Sequence, residues 1–310
     1  MGFHEFLPTL GMAPGTITSV GTYNPYTVVY DPVNHLMWTG SYSGSSWAII
    51  AYNCNTFTQV YLIPLAFDAA GGICYDSIQQ RVWIGSSGSS KAAGINTSNG
   101  TIAYTVSTSY TDGMAFDATN NVIWVGSPSA SAMYRIAGAS GAVTYISLPG
   151  YTTAGIEGTI YCPTTNQVYF GANYQSLYKM NAATNVVSSF RALQPSGSQL
   201  VTDMYYDALN NVIWYSSYGG NLITINPSTG AILATYNPTN SSYPEGFAQD
   251  ASGNLWFGNM TNYVLKISST TGALLASYKI GAYSSYGAFD PINNRYWAAC
   301  RLIPLKVIQA

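Results

Sequence analysis

One pattern of apolar and polar positions recurs seven times along the chain. A copy has an apolar or aromatic pair, an aspartate (Cys162 in the fourth copy), a short turn rich in asparagine and an apolar stretch that ends in an aromatic residue, as in YDPVNHLMW from Tyr30. Asp and Asn side chains bond their own backbone and tolerate left-handed conformations, so each copy predicts two short strands joined by a tight hairpin. The aromatic residues that end the copies are Trp38, Trp83, Trp124, Tyr169, Trp214, Trp256 and Trp297.

The spacing of these aromatic residues predicts the architecture. Successive ones lie 41 to 45 residues apart, which is the period of one four-stranded blade of a β-propeller. A Gly/Ser-rich loop and a second hairpin follow each copy, and the alternation in segments such as GAILATY indicates an outer strand. The sequence therefore predicts an all-β, seven-bladed β-propeller with four-stranded blades.

The seventh copy is too short to complete its own blade. After Trp297, the segment RLIPLKVIQ supplies a third strand but no fourth, whereas PGTITSVGTY from Pro14 resembles the outer strands of the other copies. We expect residues about 15–23 to pair with residues about 301–309, because closure protects both sheet edges. Residues 14–310 then form one propeller. Residues 1–13 form an N-terminal arm that docks on another surface or straps its own ring.

Charged residues are scarce. They make up 7% of the 310 residues, against roughly 25% in typical domains, so Ser, Thr, Asn, Gly and 27 tyrosines must cover the surface. Such a surface is unusual for a cytosolic monomer, because charge maintains solubility. It favours an extracellular or virion-surface location, with other structural subunits of an assembly as partners.

The same composition excludes several classes of partner and site. With a net charge of −2 and no cluster of Lys or Arg, the chain lacks the electrostatic footprint of a nucleic-acid-binding protein. No apolar stretch is long enough for membrane insertion as a helix. The four cysteines lack zinc-site spacing and fall in different repeats. We therefore expect free core thiols, with a disulfide framework as the alternative.

Two groups of carboxylates differ in their position within the repeat. The repeated aspartates begin the hairpin turns, and we interpret them as turn caps. Four other acids precede that position by four or five residues, where one blade leads to the next at one mouth of the channel. Oxygen-rich clusters of this kind bind Ca²⁺ or another hard cation, and the alternative is that they cap loops and inner-strand amides. The candidate metal ligands are Asp112, Glu157, Asp203 and Glu245.

Aromatic residues crowd the same expected face. A tyrosine combines an apolar body with a polar tip, which suits it to stack on a sugar ring and to bond its hydroxyls. The alternative is that these rings fill the wedges between blades. The candidate ligand-binding residues are Tyr110, Tyr151, Tyr243, Tyr283 and Trp47.

The segment YPEGFAQDASGNLWFGN, from Tyr243, resembles the repeats of NHL and virginiamycin-B-lyase-like seven-bladed propellers. The resemblance covers all seven copies at the Asp, Asn and Trp positions, but only the sixth has the full Pro-x-Gly start. It implies His and Glu at the channel mouth for a lyase, or a metal there for a lactonase-like enzyme. Glu157 and Glu245 match, but the two histidines, His4 and His35, are expected elsewhere.

The sequence thus favours a non-enzymatic propeller on a virion or other surface, which acts in assembly and in glycan or receptor binding. The sequence identifies no cofactor with certainty, and Ca²⁺ is the candidate. The alternative is an enzyme, either a metal-dependent hydrolase of the lactonase-like kind or a lyase-like propeller, with its carboxylates at the channel mouth. A bound cation such as Ca²⁺ with open coordination positions would favour the enzyme.

Overall fold

The computed structural model describes residues 12–127, 132–148, 156–172, 176–192, 201–238 and 242–310. These residues form 28 strands in seven antiparallel sheets of four. The first strands of adjacent sheets contact one another around a central channel, so the sheets are the blades of a ring. This confirms the predicted seven-bladed β-propeller. No helix in the described ranges is long and apolar enough to cross a membrane.

The strands are numbered in chain order. Blades 1 to 4 comprise β2 (Asn24–Asp31), β3 (Leu36–Tyr42), β4 (Trp47–Asn53), β5 (Gln59–Leu65); β6 (Ile73–Asp76), β7 (Arg81–Gly85), β8 (Lys91–Asn96), β9 (Ile102–Ser107); β10 (Met114–Asp117), β11 (Val122–Gly126), β12 (Ala132–Ala137), β13 (Val143–Ser147); and β14 (Ile156–Cys162), β15 (Gln167–Ala172), β16 (Ser176–Asn181), β17 (Val187–Ala192). Blades 5 to 7 comprise β18 (Val201–Asp207), β19 (Val212–Ser217), β20 (Leu222–Ile225), β21 (Ile232–Tyr236); β22 (Glu245–Gln249), β23 (Leu255–Gly258), β24 (Tyr263–Ile267), β25 (Leu274–Lys279); and β26 (Ser284–Asp290), β27 (Arg295–Cys300), β28 (Leu305–Gln309) with β1 (Ile17–Val20).

The ring is closed by the first strand of the chain, as predicted. β1 pairs antiparallel with β28, Ile17 opposite Ile308 and Val20 opposite Leu305. Val20 and Leu305 are buried in one core cluster, so the closing strand is held by apolar packing as well as by its backbone bonds. Residues 1–11 of the predicted arm lie outside the described residues, and the arm stays a prediction for them.

The cores between the blades are built on the repeated aromatic residues. The six tryptophans of the repeat and Tyr169 are fully buried. Several stack on a tyrosine from the outer strand of their own blade, as Trp38 does on Tyr61 and Trp256 on Tyr278, with ring centroids 5.6 and 5.3 Å apart. All four cysteines are free and buried, which agrees with their interpretation as core thiols.

The repeated aspartates cap their turns. Asp31 Oδ1, for example, accepts hydrogen bonds from the amides of Val33 and Asn34, at 3.0 and 3.2 Å. The Asn34 side chain donates to Asp31 Oδ2 at 2.8 Å and to Thr97 Oγ1 of blade 2 at 3.0 Å. The turn also needs a left-handed residue, which is His35 in blade 1 with φ of 53°. These turns therefore link one blade to the next at one end of the ring.

Candidate functional site

The four acids outside the turns meet at the other end of the ring. Glu157, Asp203 and Glu245 lie at the beginnings of β14, β18 and β22, and Asp112 lies just before β10. Because these are the innermost strands of four consecutive blades, their first residues surround one mouth of the channel. The acids line a pocket of about 220 Å³ together with Ala70, Thr202, Tyr218, Tyr243, Met260, Ser285, Tyr286 and Arg301.

β-Bulges shape this mouth. The pairing of β14, β18 and β22 with their second strands shifts register within the first few residues of each inner strand. A bulge bends its strand and redirects the local side chains, and bulges are common beside functional sites. The shifts occur between Ile156 and Thr159, between Val201 and Asp203, and between Glu245 and Ala248. Three of the four acids therefore lie in or beside a bulge.

Tyr286 crosses the channel below the pocket. Its hydroxyl donates to the backbone carbonyl oxygen of Asp112 at 2.9 Å, which joins blade 7 to blade 3 on the far side of the ring. Burial, with added effects from Asp112, Asp203 and Glu245, raises the pKa of Tyr286 well above its usual value. The hydroxyl therefore keeps its proton and remains a hydrogen-bond donor.

Asp203 binds the backbone of the next blade. Its Oδ1 accepts the amide hydrogen of Met204 at 2.7 Å, and its Oδ2 accepts that of Gly246 at 2.8 Å. Gly246 has a φ of +70°, and a Cβ there would lie 2.3 Å from the Gly287 nitrogen, so no other residue fits without a shift. Burial raises the pKa of Asp203 to about 6, although the hydrogen bonds from these backbone amides act to lower it. This acid caps a loop, as the alternative interpretation holds.

Glu157 and Glu245 have no such partners. Neither carboxyl forms a hydrogen bond with a described residue, and both are half-buried. Burial, reinforced by the neighbouring acids, raises the pKa of Glu157 to about 7 and that of Glu245 to about 8, although the Arg301 guanidinium acts in the opposite direction. Near neutral pH, the pocket therefore holds protonated carboxyl groups beside ionised ones.

The acids do not form a compact cage for a cation. Within the described residues, no three of these four acids bring their oxygens within 4.8 Å of one another. Calcium takes six to eight oxygens at about 2.3–2.6 Å. The candidate calcium ligands Asp112, Glu157, Asp203 and Glu245 thus share one pocket, but a cation would have to draw them together.

The candidate aromatic residues are less concentrated. Tyr243 lines the pocket, with its ring edge-on to that of Tyr218. Tyr110 and Tyr283 are exposed and do not line it. Trp47 is half-buried and packs against Tyr26 and Tyr42, with ring centroids 5.0 and 4.8 Å away. Tyr151 lies outside the described residues.

Sequence reasoning missed Arg301. Its Nε donates to Ser285 Oγ at 2.9 Å, and it is the cationic side chain among the residues that line the pocket. It lies between β27 and β28, in the class of loop expected on this face. The sequence signal that could have identified Arg301 is its position directly after the second strand of the last repeat, where the chain enters a loop on this face.

The raised carboxyl pKa values predict how stability depends on pH. A carboxyl whose pKa is higher in the folded chain than in the unfolded chain stabilises the folded state. This contribution is fully present below the unfolded pKa of 4.5, and it is lost as the pH rises through the folded pKa values of about 7 for Glu157 and about 8 for Glu245. We expect Tm to fall by more than about 3 °C between about pH 5 and pH 8.5. Glu245→Gln should flatten this fall. Calorimetric melts at several pH values test it, and a wild-type Tm that stays constant would mean that both groups titrate normally.

No family model matches the chain, and no curated protein matches it. Solved structures share its fold at low identity. The WD40 repeats of RRP9 match with a TM-score of 0.77 and 11% identity, covering 96% of this chain and 99% of that one. An inactive variant of virginiamycin B lyase from Staphylococcus aureus, with quinupristin, matches with a TM-score of 0.78 and 17% identity, covering 95% of this chain and 99% of that one.

Hydrazine synthase of Kuenenia stuttgartiensis gives a TM-score of 0.80 and 14% identity over 97% of this chain and 99% of that one. These identities show the fold alone. They agree with the seven-bladed propeller fold seen in the structure.

Proposed function

We propose that this protein is a non-enzymatic binding propeller of an extracellular or virion surface, and that its channel mouth takes a ligand of the saccharide class. The observation that carries the proposal is the mixture of groups in one half-buried pocket: Glu157 and Glu245 with raised pKa values, the Arg301 guanidinium and the Tyr243 ring. A protonated carboxyl both donates and accepts hydrogen bonds, as a sugar hydroxyl does. A tyrosine ring offers an apolar face for the sugar ring.

The size of the pocket limits the ligand. Its volume is about 220 Å³. Sites for drug-sized ligands are larger, about 300–1,000 Å³. One sugar unit, with the rest of a glycan in solvent, suits this volume.

The enzymatic alternative has one observation in its favour. Glu157, with a pKa of about 7, is suited to general acid–base chemistry near neutral pH. Two observations weigh against it. Among the described residues, those that line the pocket include no histidine, and the acids do not converge on one metal position. A metal-dependent hydrolase or lyase-like reaction is therefore the second candidate.

The outer strands support the assembly part of the proposal. Isolated apolar residues are normal on a surface. Here they recur on the outer strands of several blades, whose outer edges pair with no other described strand and are available for contact. We propose that this rim packs against other structural subunits. Imaging the native assembly tests it, since a rim that faces only solvent would contradict it. The exposed residues are Val60, Leu62, Ile102, Val143, Tyr145, Ile232, Leu233, Leu274 and Leu275.

A glycan array followed by calorimetry tests the ligand. We expect a hit that persists in a chelator, because neutral carboxyls and tyrosines bind the sugar without a metal. Tyr243→Ala and Glu245→Ala should each weaken it about tenfold, the equivalent of one contact of about 1.4 kcal/mol. Tyr283→Ala is the matched control, since this tyrosine is exposed and outside the pocket.

Three outcomes would contradict the saccharide proposal. Sugar binding that requires calcium points to the metal candidate. So does a calcium-dependent rise in Tm that is lost, together with sugar binding, when Glu157→Gln and Glu245→Gln are combined. Turnover of the bound sugar points to the enzyme. A negative array would leave the channel mouth without a sugar ligand and the rim as the functional surface.

A further inference from the structure

A second group of metal-ligating side chains lies where blade 7 meets blade 1, at the end of the ring opposite the pocket. Asp290 ends β26, His35 lies in the turn between β2 and β3, and Cys54 lies in the turn between β4 and β5. A carboxylate oxygen, Nε2 and Sγ lie within 4.8 Å of one another, and His35 Nε2 is 3.1 Å from Asp290 Oδ1. Asp290 and Cys54 are fully buried.

The backbone hydrogen bonding around this cluster recurs at other blade junctions, but the side chains at the equivalent positions differ. The Cys54 amide donates to the His35 carbonyl oxygen at 3.2 Å, and Gly138 donates to Asn121 in the same way at 3.0 Å. At the other six junctions, glutamine, asparagine or glycine takes the position of His35, and Thr, Gly, Ala, Pro or Ser takes that of Cys54. Only this junction has aspartate, histidine and cysteine at the three positions.

Several polar atoms converge on the cluster. The Asn293 amide nitrogen lies within 3.3 Å of three oxygens, the Cys54 carbonyl oxygen, Asn55 Oδ1 and Asp290 Oδ2, and 3.2 Å from His35 Nε2. The Arg295 guanidinium also donates to the Cys54 carbonyl oxygen, at 2.9 Å. His35 Nε2 faces this amide on one side and a carboxylate on the other. With the ring proton on Nδ1, His35 Nε2 presents a lone pair at this position, and that is the form of histidine that binds a metal ion.

We propose that this junction is a structural zinc site, in which His35 Nε2, Cys54 Sγ and Asp290 Oδ1 bind one Zn²⁺ and a water molecule completes a tetrahedron. The mixed nitrogen, sulfur and oxygen donors suit Zn²⁺ and not Ca²⁺ or Mg²⁺. The thiolate and the carboxylate balance the charge of the ion, and the thiol proton passes to solvent. At Zn–N and Zn–S distances of about 2.0 and 2.3 Å, the side chains close inward and tie blade 1 to blade 7.

Metal titration of the chelator-treated protein tests the site. We expect one Zn²⁺ per chain by calorimetry, a rise in Tm with Zn²⁺, and a near-ultraviolet charge-transfer band with Co²⁺ that reports the thiolate. His35→Asn and Cys54→Ala introduce residue types found at other junctions. Each should weaken Zn²⁺ binding at least 100-fold, beyond the roughly 10- to 100-fold typical of outer-shell changes.

The controls separate a site from a structural effect. Cys162→Ala removes a buried cysteine from another blade and should leave the Co²⁺ band and the Zn²⁺ affinity unchanged. If His35→Asn or Cys54→Ala also lowers Tm in chelator, the Co²⁺ band still decides, because it depends on the Cys54 sulfur. Wild-type protein without this band, or Zn²⁺ binding that survives both substitutions, would overturn the proposal.

Discussion

Removal of residues 1–21 is expected to abolish the cooperative thermal unfolding of the ring. The deletion takes away β1, exposes the edge of β28 and uncovers Leu305 and Val307, which are now buried in the same cluster as Val20. An exposed apolar edge is also a template for pairing between chains. We expect a broad, low-temperature transition by calorimetry, together with concentration-dependent aggregation.

A shorter truncation serves as the control. Removal of residues 1–11 leaves β1 and every described contact of blade 7 intact, including the bond from the Gly15 amide to the Gln309 carbonyl oxygen at 2.9 Å. That variant should melt like the full chain. If the longer truncation also melts like the full chain, ring closure by β1 contributes little to stability.

Trp214→Ala is expected to lower the free energy of unfolding by about 3–5 kcal/mol, the usual cost of emptying a large buried aromatic site. Trp214 is fully buried, in a core with Leu255 and Phe257 of the next blade, and stacks on Tyr236 at 5.4 Å between centroids. The cavity therefore opens between two blades, which limits how far either can relax. Denaturant unfolding measures the loss, and a change below about 1 kcal/mol would contradict this role.

Phenylalanine substitutions separate packing from hydrogen bonding. Trp124 Nε1 donates to Asp117 Oδ2 at 3.2 Å, whereas Trp214 Nε1 is buried without a partner among the described residues. Trp124→Phe should therefore cost more than Trp214→Phe by about 1 kcal/mol, the net worth of one hydrogen bond. Equal costs would indicate that the Asp117 bond contributes nothing.

The fold could be predicted because its information is local and repeated. One turn signal and one aromatic residue per blade, at a regular spacing, give the number of blades, and the short seventh copy gives the closure. The mouth acids could be grouped for the same reason, since each precedes the turn position of its repeat by four or five residues. Their meeting in one pocket follows from the ring.

The remaining features depend on distances between blades, which no local pattern encodes. The bond from Tyr286 to the Asp112 carbonyl oxygen spans 174 positions, and the burial that raises the pKa of Glu245 comes from several blades. His35 and Asp290 are 255 positions apart and become neighbours only when the ring closes. A search for closely spaced zinc ligands therefore cannot detect that pair.

Closure by β1 also has a consequence for synthesis on the ribosome. β1 is made before the other described strands, and its partner β28 follows roughly 285 residues later. At about 5–20 residues per second, β1 waits roughly 15–60 s for that partner. Blades 1 to 6 need no strand from elsewhere in the chain and can form as they emerge. Until then the blades form an open arc in which β1 is unpaired, and the ring closes only after β28 leaves the exit tunnel.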